Sequence, residues 1–252
     1  MKLSNSLLCM LMICPLAMAG GDKKTAIAAA VHSEERSDKD TARDANRQPG
    51  EILVYFGITP GMTVLDLFSG GGYYTEILSR IVGDDGEVIA HNNDAYMAYV
   101  DAEVTERYGQ GRLDNVRQVT VEANELELES GSVDAVLAVL TWHDFYYVDE
   151  ANNWPKINAA KVVETLCSAT RSGAVLGLVD HVAVAGSDPW DSAQKLHRID
   201  PQKILSDLDG SCFEFVGEND ILRNPEDDLV KSMGDPAIRG KTDRVVYKFR
   251  RN

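Results

Sequence analysis

The segment Val64 to Thr75, VLDLFSGGGYYT, constrains this chain more than any other stretch. An apolar run carries an acid, Asp66, near its end. Ser69 and three consecutive glycines, Gly70, Gly71 and Gly72, follow, and a helical pattern opens at Tyr73. Glycine adopts positive φ without penalty and lets backbone approach another group closely. In an open α/β sheet such a strand-to-helix turn lies outside the carboxyl ends of the strands, where ligands bind. The bland alternative is a turn that uses glycine for its geometry alone.

The rhythm around this junction sets the architecture. Strand-like runs fall at Thr63–Phe68, Glu87–His91, Val116–Glu122, Val133–Leu140 and Ala174–Asp180. Helical patterns at Tyr73–Val82, Ala95–Tyr108 and Pro155–Arg171 separate most of them. Strands alternating with helices of this length imply βαβ units and a parallel sheet. The unbroken apolar runs AVLAVL and AVLGLV fit strands buried on both faces. Two late segments, 213–217 and 243–249, alternate apolar with polar residues and predict an antiparallel addition at the end. The chain is therefore read as α/β: one doubly wound, Rossmann-like, mostly parallel seven-stranded sheet with an antiparallel strand at its C-terminal end.

The glycine pattern discriminates between ligands. A dinucleotide fingerprint requires G-x-G-x-x-G, and Thr75 stands where the final glycine would be. The end of the second strand offers Asn92 rather than the acid expected against a ribose. The spacing Asp66, Gly70, Gly72 instead resembles the first motif of class I S-adenosylmethionine-dependent methyltransferases, with Phe68 where that motif often has glycine. The resemblance continues in order through Glu122 after the third strand and LELESGSVD (126–134). It is tighter with a group of predicted exported bacterial methyltransferases, through GGGYYTE, HDFY, HRID, LRNPED and DPAIRGKTDR. It implies S-adenosylmethionine as cofactor, with Asp66, Ser69, Gly70, Gly71 and Gly72 at its methionine end, Asn92 at the ribose and Glu122 beside the adenine.

The fourth strand ends in Leu140-Thr-Trp-His-Asp-Phe-Tyr-Tyr147. On that edge a methyl acceptor would need in-line placement and, if it carries a proton, a base. His143 is the expected base, supported by Asp144 and by His181 at the end of the fifth strand. Trp142, Tyr146, Tyr147 and His197 are expected to wall the substrate pocket. Asp200 followed by Pro201 reads as a helix N-cap. No metal-ligand spacing is present.

The remaining features concern location. Lys2, an apolar run from Leu7 to Leu16 and Ala17-Met-Ala19 have the layout of a secretory leader, cleaved after Ala19. Residues 20–37 are small and charged and are expected to be a disordered or tether segment, leaving 38–252 as the methyltransferase domain. The protein is thus expected to be exported and periplasmic, with no stable membrane insertion after cleavage. Cys167 and Cys212 would remain; in an oxidising compartment they could pair, but two separated, apolar-flanked cysteines read more readily as buried thiols. A net charge of −15 disfavours nucleic acid as partner and leaves a small-molecule substrate. The function expected is methyl transfer to a small molecule. The alternatives are a non-catalytic binding protein built on the same fold, and a dinucleotide-dependent oxidoreductase.

Overall fold

The computed structural model describes residues 18–252. The expected leader lies almost wholly outside the described residues. Three helices, α1 (Met18–Val31), α2 (Asp38–Arg47) and α3 (Pro49–Phe56), precede β1 (Thr63–Leu67). Then come α4 (Tyr73–Val82), β2 (Glu87–Asn92), α5 (Asp94–Tyr108), β3 (Val116–Thr120) and β4 (Val133–Val139). The C-terminal half holds α6 (Ala159–Ala169), β5 (Thr170–His181), α7 (Pro189–Leu196), α8 (Pro201–Leu208), β6 (Phe213–Glu218) and β7 (Arg244–Arg251).

The seven strands form one sheet in the order β3-β2-β1-β4-β5-β7-β6. The first five are parallel, and β7 runs antiparallel to both neighbours. The expected sheet, including its reversed strand, is the sheet found. Strand order reverses at β1, between β2 and β4, which opens the crevice that this class of sheet uses for ligands. Register brings Asp66 level with Ala90 and Leu137, so the carboxyl ends of β1, β2 and β4 finish together.

Alternation along the strands builds a core on each face. Val64, Val88, Ala135, Leu137 and Val246 pack with α1, α3 and α4. Leu65, Ile89, Val136, Ala138 and Val245 face the other way, with α6 and α8. Gly177 in β5 is required for packing, because a Cβ there would collide with the ring of Phe56.

Two expectations need correction. Residues 23–31, within the expected tether, are helical, and Ile27, Ala30 and Val31 are buried against α3 and α4. The stretch TAIAAAV has high helix propensity but only a few large apolar residues, so its amphipathic signal is weak. Burying Ile27 alone is worth about 1.5–3 kcal/mol. Cys167 and Cys212 are not separate thiols but a disulfide, with Cα atoms 5.8 Å apart. It ties α6 to the start of β6, elements whose proximity only the tertiary fold creates.

Candidate active site at the carboxyl edge of the sheet

The glycine loop closes the end of β1. Gly72, at φ 83°, is the N-cap of α4. Cβ atoms on Gly71 or Gly72 would collide with Glu103, or with Tyr108 and Arg107, so these glycines admit α5 rather than open space. Arg107 donates to the Gly71 carbonyl at 2.5 Å and pairs with Glu76 and Asp40. Asn92 clasps Gly70: its Oδ1 accepts from Gly70 N at 2.8 Å and its Nδ2 donates to Gly70 O at 3.0 Å. Asp66 is buried and accepts from the Thr75 hydroxyl at 2.6 Å; burial outweighs that bond and pushes its carboxyl up to about 6. The loop side chains expected to hold a cofactor are thus gathered at one edge, with several committed to shaping the loop.

Beside this edge lies a cavity of about 410 Å³, whose lining includes Tyr96, His143, Asp144, Tyr147, Trp154 and His197. That volume suits a small molecule. A hollow of about 600 Å³ between α8 and β6 is larger, but it lacks such a convergence of histidine and carboxylate groups. Three non-glycine residues with left-handed backbone sit near this edge: Phe68 after β1, Leu140 after β4 and His197 after α7, at φ 53°, 62° and 50°. Such conformations cost about 1–3 kcal/mol each and concentrate where side chains are aimed for a purpose.

The segment after β4 is a single 3₁₀ turn, His143–Tyr146. Residues three apart are eclipsed in such a turn. Asp144 and Tyr147 therefore line the cavity, while Trp142 and Phe145 enter the core. His143 is fixed by Asp180, whose carboxylate lies 2.7 Å from Nδ1 and also accepts from the His143 backbone N–H at 2.9 Å. Nε2 is left toward Asp144, 3.2 Å away. The other Asp144 oxygen accepts from the Tyr96 hydroxyl at 2.8 Å. Burial alone would lower the affinity of His143 for a proton, but Asp144 and Asp180 outweigh it and push its pKa up to about 9. The imidazole is therefore protonated at neutral pH, and a carboxylate faces the cavity beside it.

Several expected residues point elsewhere. His181 follows Asp180 on β5 and so projects oppositely. It is bonded to Thr242 Oγ1 at 2.7 Å and does not line the cavity. Burial, then repulsion from His143 and nearby arginines, drives its pKa well down, so it stands neutral and away from the cavity. Trp142 and Tyr146 donate to Asp207 on α8, at 3.0 and 2.7 Å, and do not wall the cavity. Asp200 caps α8 as read from the sequence. Tyr96, Trp154 and Asp180 are the functional candidates that sequence reasoning missed. Asp180 carried a usable signal, an acid closing a buried strand, whereas Tyr96 and Trp154 carried none.

The residues at this edge fit an adenosyl ligand in one respect that geometry makes concrete. Ser69 Oγ, Asn93 Nδ2, Glu122 Oε2, Thr141 Oγ1 and Trp154 Nε1 are buried without a well-formed hydrogen bond among the described residues, although Glu122 lies within reach of the Asn93 side chain and the Asp94 backbone. The first four follow β1, β2, β3 and β4 in turn. Buried polar atoms are rarely left unpaired, so a row of them marks a place for a polar ligand.

Comparison with known proteins agrees with the fold. The family model for protein-L-isoaspartate(D-aspartate) O-methyltransferase matches residues 41–120, from α2 through β3. A ubiquinone/menaquinone biosynthesis C-methyltransferase of Shewanella halifaxensis is 24% identical over 211 residues, covering 77% of this chain and 76% of its own. Its counterpart from Idiomarina loihiensis is 37% identical over 81 residues, 32% of this chain and 31% of its own. Among solved structures, a SAM-dependent methyltransferase from Aquifex aeolicus superposes with a TM-score of 0.58 at 21% identity, over 90% of this chain and 97% of its own. Geranyl diphosphate C-methyltransferase from Streptomyces coelicolor, solved with S-adenosyl-L-homocysteine, gives 0.59 at 14% identity over 89% of each chain. The [4+2]-cyclase SpnF gives 0.56 at 15% identity, over 91% of this chain and 93% of its own, so the fold by itself does not fix the chemistry.

Proposed function

We propose that this chain, which has the class I S-adenosylmethionine-dependent methyltransferase fold, transfers a methyl group to a small molecule bound in the cavity beside His143. The carrying observation is the row of buried polar atoms without a well-formed hydrogen bond at the ends of β1–β4, next to a cavity holding an acid/base pair. Ser69, the backbone of Gly70, Asn93 and Glu122 would hold the cofactor, whose sulfonium supplies an electrophilic methyl group. Asn92 acts indirectly, by holding Gly70 in place.

The chain's own residues divide the remaining work. Tyr147 and Trp154 offer faces for an apolar or aromatic acceptor and exclude water. The protonated His143, anchored by Asp180, orients Asp144, and the Asp144 carboxylate accepts the proton an acceptor loses. The expected roles are thereby redistributed: His143 is the orienting cation and Asp144 the base. Export is part of the proposal. It is supported by the leader-like start of the sequence and by the Cys167–Cys212 disulfide, a bond that persists in oxidising compartments.

Calorimetry with S-adenosylhomocysteine on the folded chain tests the reading directly. Saturable binding is expected, weakened in Ser69→Ala and Glu122→Gln. No heat at millimolar ligand overturns it. Binding without turnover across a broad acceptor panel would turn the reading to a non-catalytic binding protein.

A further inference from the structure

We infer that His143, Asp144 and His197 form a binding site for one first-row transition-metal dication, open to the cavity. Sequence spacing gave no hint of it, because the ligands come from the turn after β4 and from the end of α7, 53 positions on. Their ligand atoms lie within 4.8 Å of one another. His143 Nε2 and Asp144 Oδ1 are 3.2 Å apart, and His197 Nδ1 is 3.9 Å from the same oxygen. Donors bound to one ion at about 2.1 Å stand roughly 3–3.5 Å from each other. The first pair already has this separation, the second needs a movement of about half an ångström, and the two histidine nitrogens, within 4.8 Å, close by the same movement of His197. His197, half-buried at the rim, has the freedom to make it.

Two of the three donors are also oriented from behind. Asp180 holds His143 Nδ1 at 2.7 Å, which directs Nε2 to the proposed ion. A carboxylate behind a ligating histidine is the usual second support of such sites. Tyr96 holds Asp144 Oδ2 at 2.8 Å and so presents Oδ1. His197 takes a left-handed backbone, φ 50°, and its ring lies against Tyr147 and edge-on to His143. Two hydrogen-bonded supports and a left-handed turn at His197 gather three donors within 4.8 Å of one another.

The donor set chooses the metal. Two imidazoles and one carboxylate suit zinc, iron, nickel or manganese, whereas magnesium and calcium prefer all-oxygen sites. Three protein ligands leave positions free on the cavity side, the pattern of a working rather than a structural centre. The inference goes beyond methyl transfer and does not depend on it. An ion there would acidify a bound hydroxyl or hold an anionic acceptor; His143 would give up its proton to the ion, and His143 and Asp144 would act as ligands instead of as cation and base.

The test uses the whole chain, stripped with a chelator and titrated with Zn²⁺ by calorimetry and with Co²⁺ by visible absorption. One equivalent is expected at micromolar dissociation constant or tighter, with cobalt ligand-field bands typical of histidine coordination. His197→Ala and Asp144→Asn should each weaken binding at least 100-fold, and His32→Ala, an exposed histidine outside the site, should leave it unchanged. The cobalt spectrum of the unaltered chain needs no variant to fold, and absence of those bands overturns the inference. Affinity that follows His32 instead of His197 also overturns it. S-adenosylhomocysteine binding is measured in parallel. A chain that binds it but takes up no ion sinks the metal site alone; one that takes up the ion without it supports the metal site and sinks methyl transfer.

Discussion

Two halves of the same sheet edge handle function in opposite ways. At the end of β1 the chemistry is written in one continuous motif, yet Gly71 and Gly72 face α5 and Asn92 is spent on Gly70. Around the ends of β4 and β5 there are only short, separated pieces, HDFY and HRID, yet His143, Asp144 and His197 converge on an open cavity, with Asp180 behind them. The difference teaches that a local motif reports where backbone must turn and approach something closely. It does not report what comes close. Side chains that converge from distant segments are under no local constraint and leave no local signature.

The largest expected effect bears on the first half. Gly72→Val places a branched side chain at φ 83° and against Arg107 and Tyr108. Left-handed strain of about 1–2 kcal/mol and overpacking of about 1–3 kcal/mol predict a loss of about 4 kcal/mol in chemical denaturation. A loss below about 1 kcal/mol would mean that α5 does not seat on the loop.

The second half should show a pH signature. His143 titrates near 6.5 in an unfolded chain and at about 9 here. Its pKa is raised on folding, so its contribution is complete below pH 6.5 and fades as pH rises through about 9. The shift corresponds to roughly 3 kcal/mol. Comparing the native chain with His143→Gln from pH 6 to 10 isolates it, and parallel stability curves would contradict the assignment.

Asp180→Asn removes the anchor behind His143 while keeping its shape. Turnover should fall about 100-fold, equivalent to about 2.7 kcal/mol, and the NMR titration of His143 should move down. Cofactor binding at the glycine loop should stay unchanged, which sharpens the contrast between the halves. The smallest effect is expected from His197→Gly. Relief of the left-handed strain should change stability by no more than about 1 kcal/mol, in the stabilising direction, while activity drops. A variant both less stable and fully active would remove His197 from the site.

Much of the fold was legible because it rests on local patterns. Tyr73–Val82 is the same helix in the sequence reading and in the structure, and β1, β2 and β4 differ only by a residue or so at their ends. These strands are legible because burial on two faces leaves continuous apolar runs. The N-terminal helix α1 escaped, since TAIAAAV shows little amphipathic contrast before its partners are known. His143 and Asp144, expected from the strand-end rule, do line the cavity, whereas His181 does not, because neighbouring strand residues point opposite ways. Trp142 and Tyr146 were misdirected because a 3₁₀ turn, rather than an extended strand end, follows β4.

By itself the sequence determined the α/β architecture, the parallel character of the sheet's core and the edge at which the glycine loop and the candidate residues gather. Periodicity and turn chemistry act over a few residues, and they suffice for those features. Only the tertiary structure decided which side chains meet there. It joined Cys167 to Cys212 across 45 positions, turned α5 onto the glycines, and brought His197 to His143 and Asp144. Such meetings depend on how whole elements cross and pack, which no short window of sequence encodes.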